Sequence, residues 1–308
     1  MSRKVEIVEV GPRDGLQNEA VVLSVEERLE FIARLEAAGV RRIEAVSFVN
    51  PKRVPQMAGA EAIMAALPHT KGRSRIGLVL NEKGWERLKS TRCDEANVVV
   101  CASDSFGLRN QGADIAAQIA AMHVIAADHA AHGGPPLSLT ISVAFGCPFE
   151  GEVPLERVVT IAREAAAAGI PEIAIADTIG VADPWTVRAR MHAVREVSGD
   201  AKLRLHFHDT RNTGLANAAA ALEAGADVLD SSCGGIGGCP FAPAATGNIA
   251  TEDLVYMLQR AGFDTGLDLD ALIETGRWIC ARLGRPPTSA LARAGGFPKP
   301  AASAGKAA

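Results

Sequence analysis

The sequence predicts an α/β fold, a (β/α)8 TIM barrel with a short C-terminal helical extension, and three observations carry that prediction. Eight short, β-branched apolar runs alternate with alanine-rich helical stretches along the 308 residues. The runs are too uniformly apolar for a sheet with one wet face, so they read as parallel strands covered on both sides. The tripeptide Ala-Gly-X recurs at Ala38-Gly39-Val40, Ala168-Gly169-Ile170 and Ala224-Gly225-Ala226, each time just before a strand. A glycine there ends one helix and turns the chain back into the barrel.

The first strand, Val5–Val10, begins almost at the N-terminus and leads into Gly11-Pro12-Arg13-Asp14-Gly15. That turn has no G-x-G-x-x-G fingerprint, which argues against a doubly wound dinucleotide-binding sheet. Ser24-Val25-Glu26-Glu27 has the form of a capping box, and Val25, Leu29, Ile32 and Leu35 follow it as an inward stripe. The next strands are Arg42–Phe48, Arg75–Leu80, Ala96–Cys101, Leu137–Val143, Glu172–Ala176, Leu203–His208 and Val228–Ser231. Leu215, Ala218, Ala219 and Leu222 form the stripe of the helix that ends at Gly225. A last helical segment, Leu269–Leu283, stops before Arg285-Pro286-Pro287. One barrel domain therefore spans 1–294, and the Gly-, Ala-, Ser- and Pro-rich residues 295–308 are expected to form a disordered tail.

Composition excludes several classes of function. The formal net charge is −4 with no basic block, so nucleic-acid binding lacks its electrostatic footprint. No apolar run approaches the ~20 residues needed to span a bilayer. The N-terminus shows neither a signal-peptide core nor a transit segment, so a cytoplasmic location is expected. Six scattered cysteines without a C-x-x-C pair are expected to be free thiols, mostly small core hydrophobes.

In such a barrel, functional side chains sit at the C-terminal ends of the strands. Arg13, Asp14 and Gln17 follow the first strand, and Glu44 and Ser47 belong to the second. Asp177 and Thr178 follow the sixth, and His206, His208 and Asp209 come from the seventh. After the eighth come Gly234-Gly235-Ile236-Gly237-Gly238-Cys239-Pro240 and Gly247-Asn248. Residues i and i+2 of a strand share a face, so His206 and His208 converge. Asp14, His206, His208 and Asn248 can furnish two oxygens and two nitrogens, a mixed set that suits Mg²⁺ or Mn²⁺ better than zinc. Cys239, on a glycine-dense loop, is a candidate acid or base. Ordinary readings compete: a satisfied core histidine, turn residues at Asp14 and Asn248, a structural cysteine. What favours function is the crowding of polar groups at one barrel end. Arg13, Gln17, Glu44, Ser47 and Thr178 are then the candidates for substrate contact.

The run Val8-Glu9-Val10-Gly11-Pro12-Arg13-Asp14-Gly15-Leu16-Gln17-Asn18-Glu19 resembles the opening signature of the 3-hydroxy-3-methylglutaryl-CoA lyase family. Ser47–Met57, Gly237–Phe241 and Gly247–Leu254 resemble its further blocks, and the likeness runs from about Arg3 to Ala294. The resemblance implies a TIM barrel of the DRE-TIM metallolyase group, a homodimer, and a metal on Asp14, His206, His208 and Asn248. It implies Arg13 and Cys239 as catalytic residues and Glu44 as the family's conserved glutamate. The activity implied is cleavage of 3-hydroxy-3-methylglutaryl-CoA to acetyl-CoA and acetoacetate by a retro-Claisen reaction. Asp14 or a histidine, His206 among them, would be the base.

The chain departs from the family pattern at three places. Arg211 stands where a tyrosine is usual, Thr140 where an aromatic residue is frequent, and Ala174 where a polar residue is common. The expectation is that Arg211 contacts a carboxylate or the CoA phosphates and that Thr140 makes room for a different acyl group. Lys52 and Arg53 are further candidates for the CoA phosphates. The alternatives are the same chemistry on a related 3-hydroxyacyl-CoA and a condensing synthase, which normally carries additional C-terminal domains. A catalytically silent scaffold would have lost a ligand residue or Cys239.

Overall fold

The structure, a computed structural model, describes residues 3–238 and 247–298. Its strands are β1 (Glu6–Glu9), β2 (Arg42–Ser47), β3 (Ser74–Val79), β4 (Glu95–Cys101) and β5 (Leu137–Ser142). A small hairpin, β6 (Gly146–Cys147) and β7 (Gly151–Glu152), precedes β8 (Glu172–Asp177), β9 (Lys202–Phe207) and β10 (Val228–Ser231). The eight longer strands are all parallel and close a barrel in chain order, with β1 pairing both β2 and β10. All eight expected strands are present, and no end is shifted by more than one residue.

The helices are α1 (Val25–Ala37), α2 (Ala60–Ala66), α3 (Glu82–Lys89), α4 (Asp104–Asn110), α5 (Ile115–His132) and α6 (Leu155–Ala167). They continue with α7 (Pro184–Arg195), α8 (Gly214–Glu223), α9 (Thr251–Arg260), α10 (Leu269–Arg282) and α11 (Ala290–Ala294). Their starts follow local chemistry. Ser24 and Glu27 complete the capping box on α1, and Asp183 caps α7 ahead of Pro184. Gly39, Gly169 and Gly225 all have positive φ, as their place after a helix requires. The expected tail, residues 295–308, lies outside the described residues from 299 onward.

The main apolar core lies between the strands and the helices. Ile32 and Leu35 of α1 are fully buried there, and Val25 and Leu29 are partly buried against them. Each complete aliphatic burial of this kind contributes about 1.5–3 kcal/mol. Five cysteines, 93, 101, 147, 233 and 280, are free and buried, as expected; Cys239 is outside the described residues. Among the described residues no helix is long and apolar enough to cross a membrane.

Inside the barrel the composition changes. A small apolar cluster, Val8, Val10, Ile76 and Val228, fills one side. The rest is a column of charge. Arg42 makes paired contacts to Glu172 at 2.8 Å and also bonds Glu95, and Arg204 bonds Glu172 at 3.0 Å. These residues sit at alternate strand positions with Glu44, Asn97, Thr140 and His206, which is the inward face. A register shift between Glu44 and Val46 turns the end of β2, so that Ser47 pairs with Leu78.

Candidate active site

Residues following β1 turn through a short π-helical segment, Gly11–Gly15, which delivers Arg13 and Asp14 to the C-terminal mouth of the barrel. His206 lies in β9 and His208 just beyond it, where an isolated bridge pairs His208 with Asn248. Glycines allow these segments to approach. A Cβ on Gly15 would lie 2.6 Å from Ile236 Cγ1, and one on Gly247 would overlap the Gly237 carbonyl oxygen. Gly237 and Gly247 also have φ of 105° and 108°, which L side chains rarely adopt.

The result is one constellation. Asp14 Oδ2 lies 3.9 Å from His206 Nε2 and 3.7 Å from His208 Nε2. Asn248 Nδ2 donates to Asp14 Oδ2 at 2.8 Å and to the Ile236 carbonyl at 3.1 Å. One carboxylate oxygen and one nitrogen from each imidazole fall within 4.8 Å of one another, a span that one cation can bridge. The Asn248 Oδ1 and His208 Nδ1 atoms are buried without a hydrogen-bond partner among the described residues. A carboxylate, two imidazoles and the unpartnered amide oxygen of the asparagine bonded to that carboxylate are a donor set that fits a hard divalent ion.

Arg13 is pinned from two sides. Its Nε donates to Glu44 Oε2 at 2.6 Å and its Nη1 to Asp14 Oδ1 at 2.7 Å. Glu44 in turn accepts from Asn97 Nδ2 at 2.8 Å. Burial opposes the charge of Asp14, but the Arg13 guanidinium and the two imidazoles hold its carboxyl well below the usual range. Burial likewise opposes charge on His206, yet Asp230 and Asp14 raise its pKa. Asp177 is pushed up by burial, while its oxygens accept from the Val181 and Ala182 amides.

Above this group opens a cavity of about 560 Å³, lined by Arg13, Asp14, Gln17, Thr178, His206 and His208 among the expected residues. Gln17 Oε1 is buried and has no hydrogen-bond partner among the described residues. The Thr178 hydroxyl accepts from the Val143 amide at 2.8 Å and steadies a valine held at φ 51°. Gly238, the residue before Cys239, also lines the cavity; Cys239 itself is outside the described residues.

Other expectations fare differently. Glu44 and Ser47 are buried next to the site without lining the cavity, and Ser47 Oγ has no hydrogen-bond partner among the described residues. Arg211 is not at the cavity: it is exposed, and its Nη1 donates to the carbonyls of Ile179 and Gly180. In these contacts the guanidinium braces the loop after β8. Of the two CoA candidates, Arg53 lines the cavity and Lys52 does not.

Thr140, Ala174 and Arg204 pair in register on β5, β8 and β9. The small Ala174 lets Arg204 Nη2 reach across and donate to Thr140 Oγ1 at 3.2 Å, and Thr140 donates to Asn97 Oδ1 at 3.0 Å. Two of the departures thus form one unit, a polar cavity floor. Sequence reasoning missed Asn97, Asp230 and Ser142, which line the cavity, and Arg204 beneath them. The available signal was a polar or charged residue at every second position of otherwise apolar strands.

Residues 4–279 match a family model described as HMGL-like. The chain is 44% identical over 301 residues to an (R)-citramalyl-CoA lyase of Chloroflexus aurantiacus, covering 94% of this chain and 95% of that one. The crystal structure of the HMG-CoA lyase of Bacillus subtilis superposes with a TM-score of 0.91 at 36% identity, over 95% of this chain and 98% of that one. An HMG-CoA lyase of Acinetobacter baumannii in complex with coenzyme A and 3-methylmalate superposes with a TM-score of 0.90 at 38% identity, over 96% and 98%.

Proposed function

The chain belongs to the HMGL-like family, and from that premise we propose that it is a divalent-cation-dependent carbon–carbon lyase acting on a 3-hydroxyacyl-CoA. The observation that carries this reading is the convergence of Arg13, Asp14, His206 and His208 at one cavity, with Asn248 hydrogen-bonded to Asp14. Asp14, His206, His208 and Asn248 would hold Mg²⁺ or Mn²⁺. The ion would supply Lewis-acid polarisation of substrate oxygen.

The chain's own residues account for the remaining chemistry. A base at the site, Asp14 or a histidine, takes the proton of the C3 hydroxyl. The C2–C3 bond breaks, the C3 oxygen becomes a ketone, and the electron pair passes to C2 and the thioester oxygen. Arg13, held by Glu44 and Asp14, is aimed to stabilise that enolate oxyanion. Cys239, next to the cavity-lining Gly238, would deliver a proton to C2 and release acetyl-CoA. A cytoplasmic homodimer belongs to the same proposal.

3-Hydroxy-3-methylglutaryl-CoA, giving acetyl-CoA and acetoacetate, is the parent substrate. A second reading is citramalyl-CoA, whose carboxylate sits directly on the carbinol carbon. The polar Asn97–Thr140–Arg204 floor and the 44% identical relative support it. The test is acetyl-CoA release from each thioester with Mg²⁺ or Mn²⁺, and again with EDTA. Chelator-sensitive release from either one supports the lyase, and the ratio of kcat/KM values selects the acyl group. Folded, metal-loaded protein that releases no acetyl-CoA from either would overturn the reading.

A further inference from the structure

The two histidines are not equivalent, and the difference originates below the cavity. His206 Nδ1 lies 3.2 Å from Asp230 Oδ2, whereas His208 Nδ1 has no hydrogen-bond partner among the described residues. Asp230, at the end of β10, is 4% exposed and lines the cavity floor. Its other oxygen lies 3.4 Å from Arg204 Nε, an ion-pair distance without a hydrogen bond. Arg204 precedes His206 by two residues on β9, so both point into the barrel. It is anchored at its far end by Glu172 and Thr140, and Glu172 is anchored by Arg42. A continuous chain, Arg42–Glu172–Arg204–Asp230–His206, therefore joins the N-terminal end of the barrel to the cavity.

We propose that Asp230, backed by Arg204, is a positioning residue that fixes the ring and tautomer of His206. An imidazole can offer a lone pair at only one nitrogen, and the hydrogen bond at the other decides which. With a carboxylate accepting from Nδ1–H, Nε2 keeps its lone pair, and that nitrogen is the one facing Asp14. His206 is thereby preset for ligation. His208 has no acceptor at Nδ1 among the described residues and so lacks that preset. The inference rests on the cation-site reading above, and its test separates the two.

The decisive variant is Asp230→Asn in the full chain, which keeps shape and volume; Arg204→Lys, which keeps the charge, is the companion. Calorimetric titration with Mn²⁺ should show a 10–100-fold weaker Kd for D230N, the range typical of losing such an outer partner. The loss for R204K should be smaller. Nitrogen-15 NMR of the histidine rings in cation-free protein, at a pH high enough that the rings are neutral, should show His206 as the Nδ1–H tautomer in the wild type and a mixture in D230N, with His208 unchanged. Unchanged Mn²⁺ affinity together with an unchanged His206 tautomer in folded D230N would overturn the proposal. An Asp230-dependent Mn²⁺ affinity in a protein that cleaves no thioester would uphold it while the lyase reading fell.

Discussion

Arg13 and Arg211 show how far a residue's place outweighs its type. Arg13 is 9% exposed, held by two carboxylates and aimed into the cavity. Arg211 is exposed and donates to two backbone carbonyls. Arg13→Met should lower kcat/KM for the cleaved thioester by about 10²–10³, as removal of an oxyanion donor does. Arg211→Ala should leave it within about twofold. Steady-state kinetics of both variants check the contrast, and a large loss in Arg211→Ala would return that residue to the substrate. Sequence could find Arg13, because it follows a strand and adjoins a candidate ligand. It could not show that Arg211 meets the Ile179 and Gly180 carbonyls, because a loop residue's direction depends on which carbonyls are nearby. Asp230, Arg204 and Asn97 went unnoticed for a different reason. Their importance comes from meeting across strands that are far apart in sequence, and only the closed barrel brings them together.

At the level of elements, the base of the glycine loop is clamped by two buried carboxyls. Glu9 of β1 accepts from the amides of Gly11 and Cys233 and from the Thr251 hydroxyl. Glu252 of α9 accepts from the Gly234 amide with both oxygens. Burial pushes each up to about 7, against the opposing pull of those donors. An acid whose folded value exceeds its unfolded one favours folding in its neutral form. The benefit is complete below about pH 4.5 and is lost as pH rises through 7. Ionising one such group costs the fold about 3 kcal/mol. Urea unfolding in EDTA should therefore show stability falling from pH 5.5 to 8.5. His206, with its raised value, contributes in the same direction, so the variants Glu9→Gln and Glu252→Gln isolate the clamp by flattening the slope. Stability that rises over this interval would refute the assignment. The strands themselves were legible, since eight apolar runs and three Ala-Gly-X turns repeat one unit. The β6–β7 hairpin, the five-residue α11 and the shift in β2 were not. Each is too short for periodicity to register and is set by packing around it.

For the molecule as a whole, the barrel interior carries a charge imbalance. Among the described residues in and below the cavity floor, the guanidinium groups of Arg13, Arg42 and Arg204 face the carboxyl groups of Asp14, Glu44, Glu95, Glu172 and Asp230. Three cations against five anions leave a formal deficit of two positive charges in a region where water screens little. The ligand group Asp14, His206 and His208 lies at the cavity end of that column. A divalent ion there restores neutrality, so it should stabilise the fold as well as serve chemistry. Binding only to the folded state, at a concentration a hundredfold above Kd, adds about 2.7 kcal/mol. For a chain of this size that is a rise in Tm of roughly 5 °C or more. Differential scanning calorimetry with Mg²⁺ or Mn²⁺ against EDTA should show it, and Asp14→Asn should abolish it. An equal rise in Asp14→Asn would place the stabilising ion elsewhere and refute this account of the column.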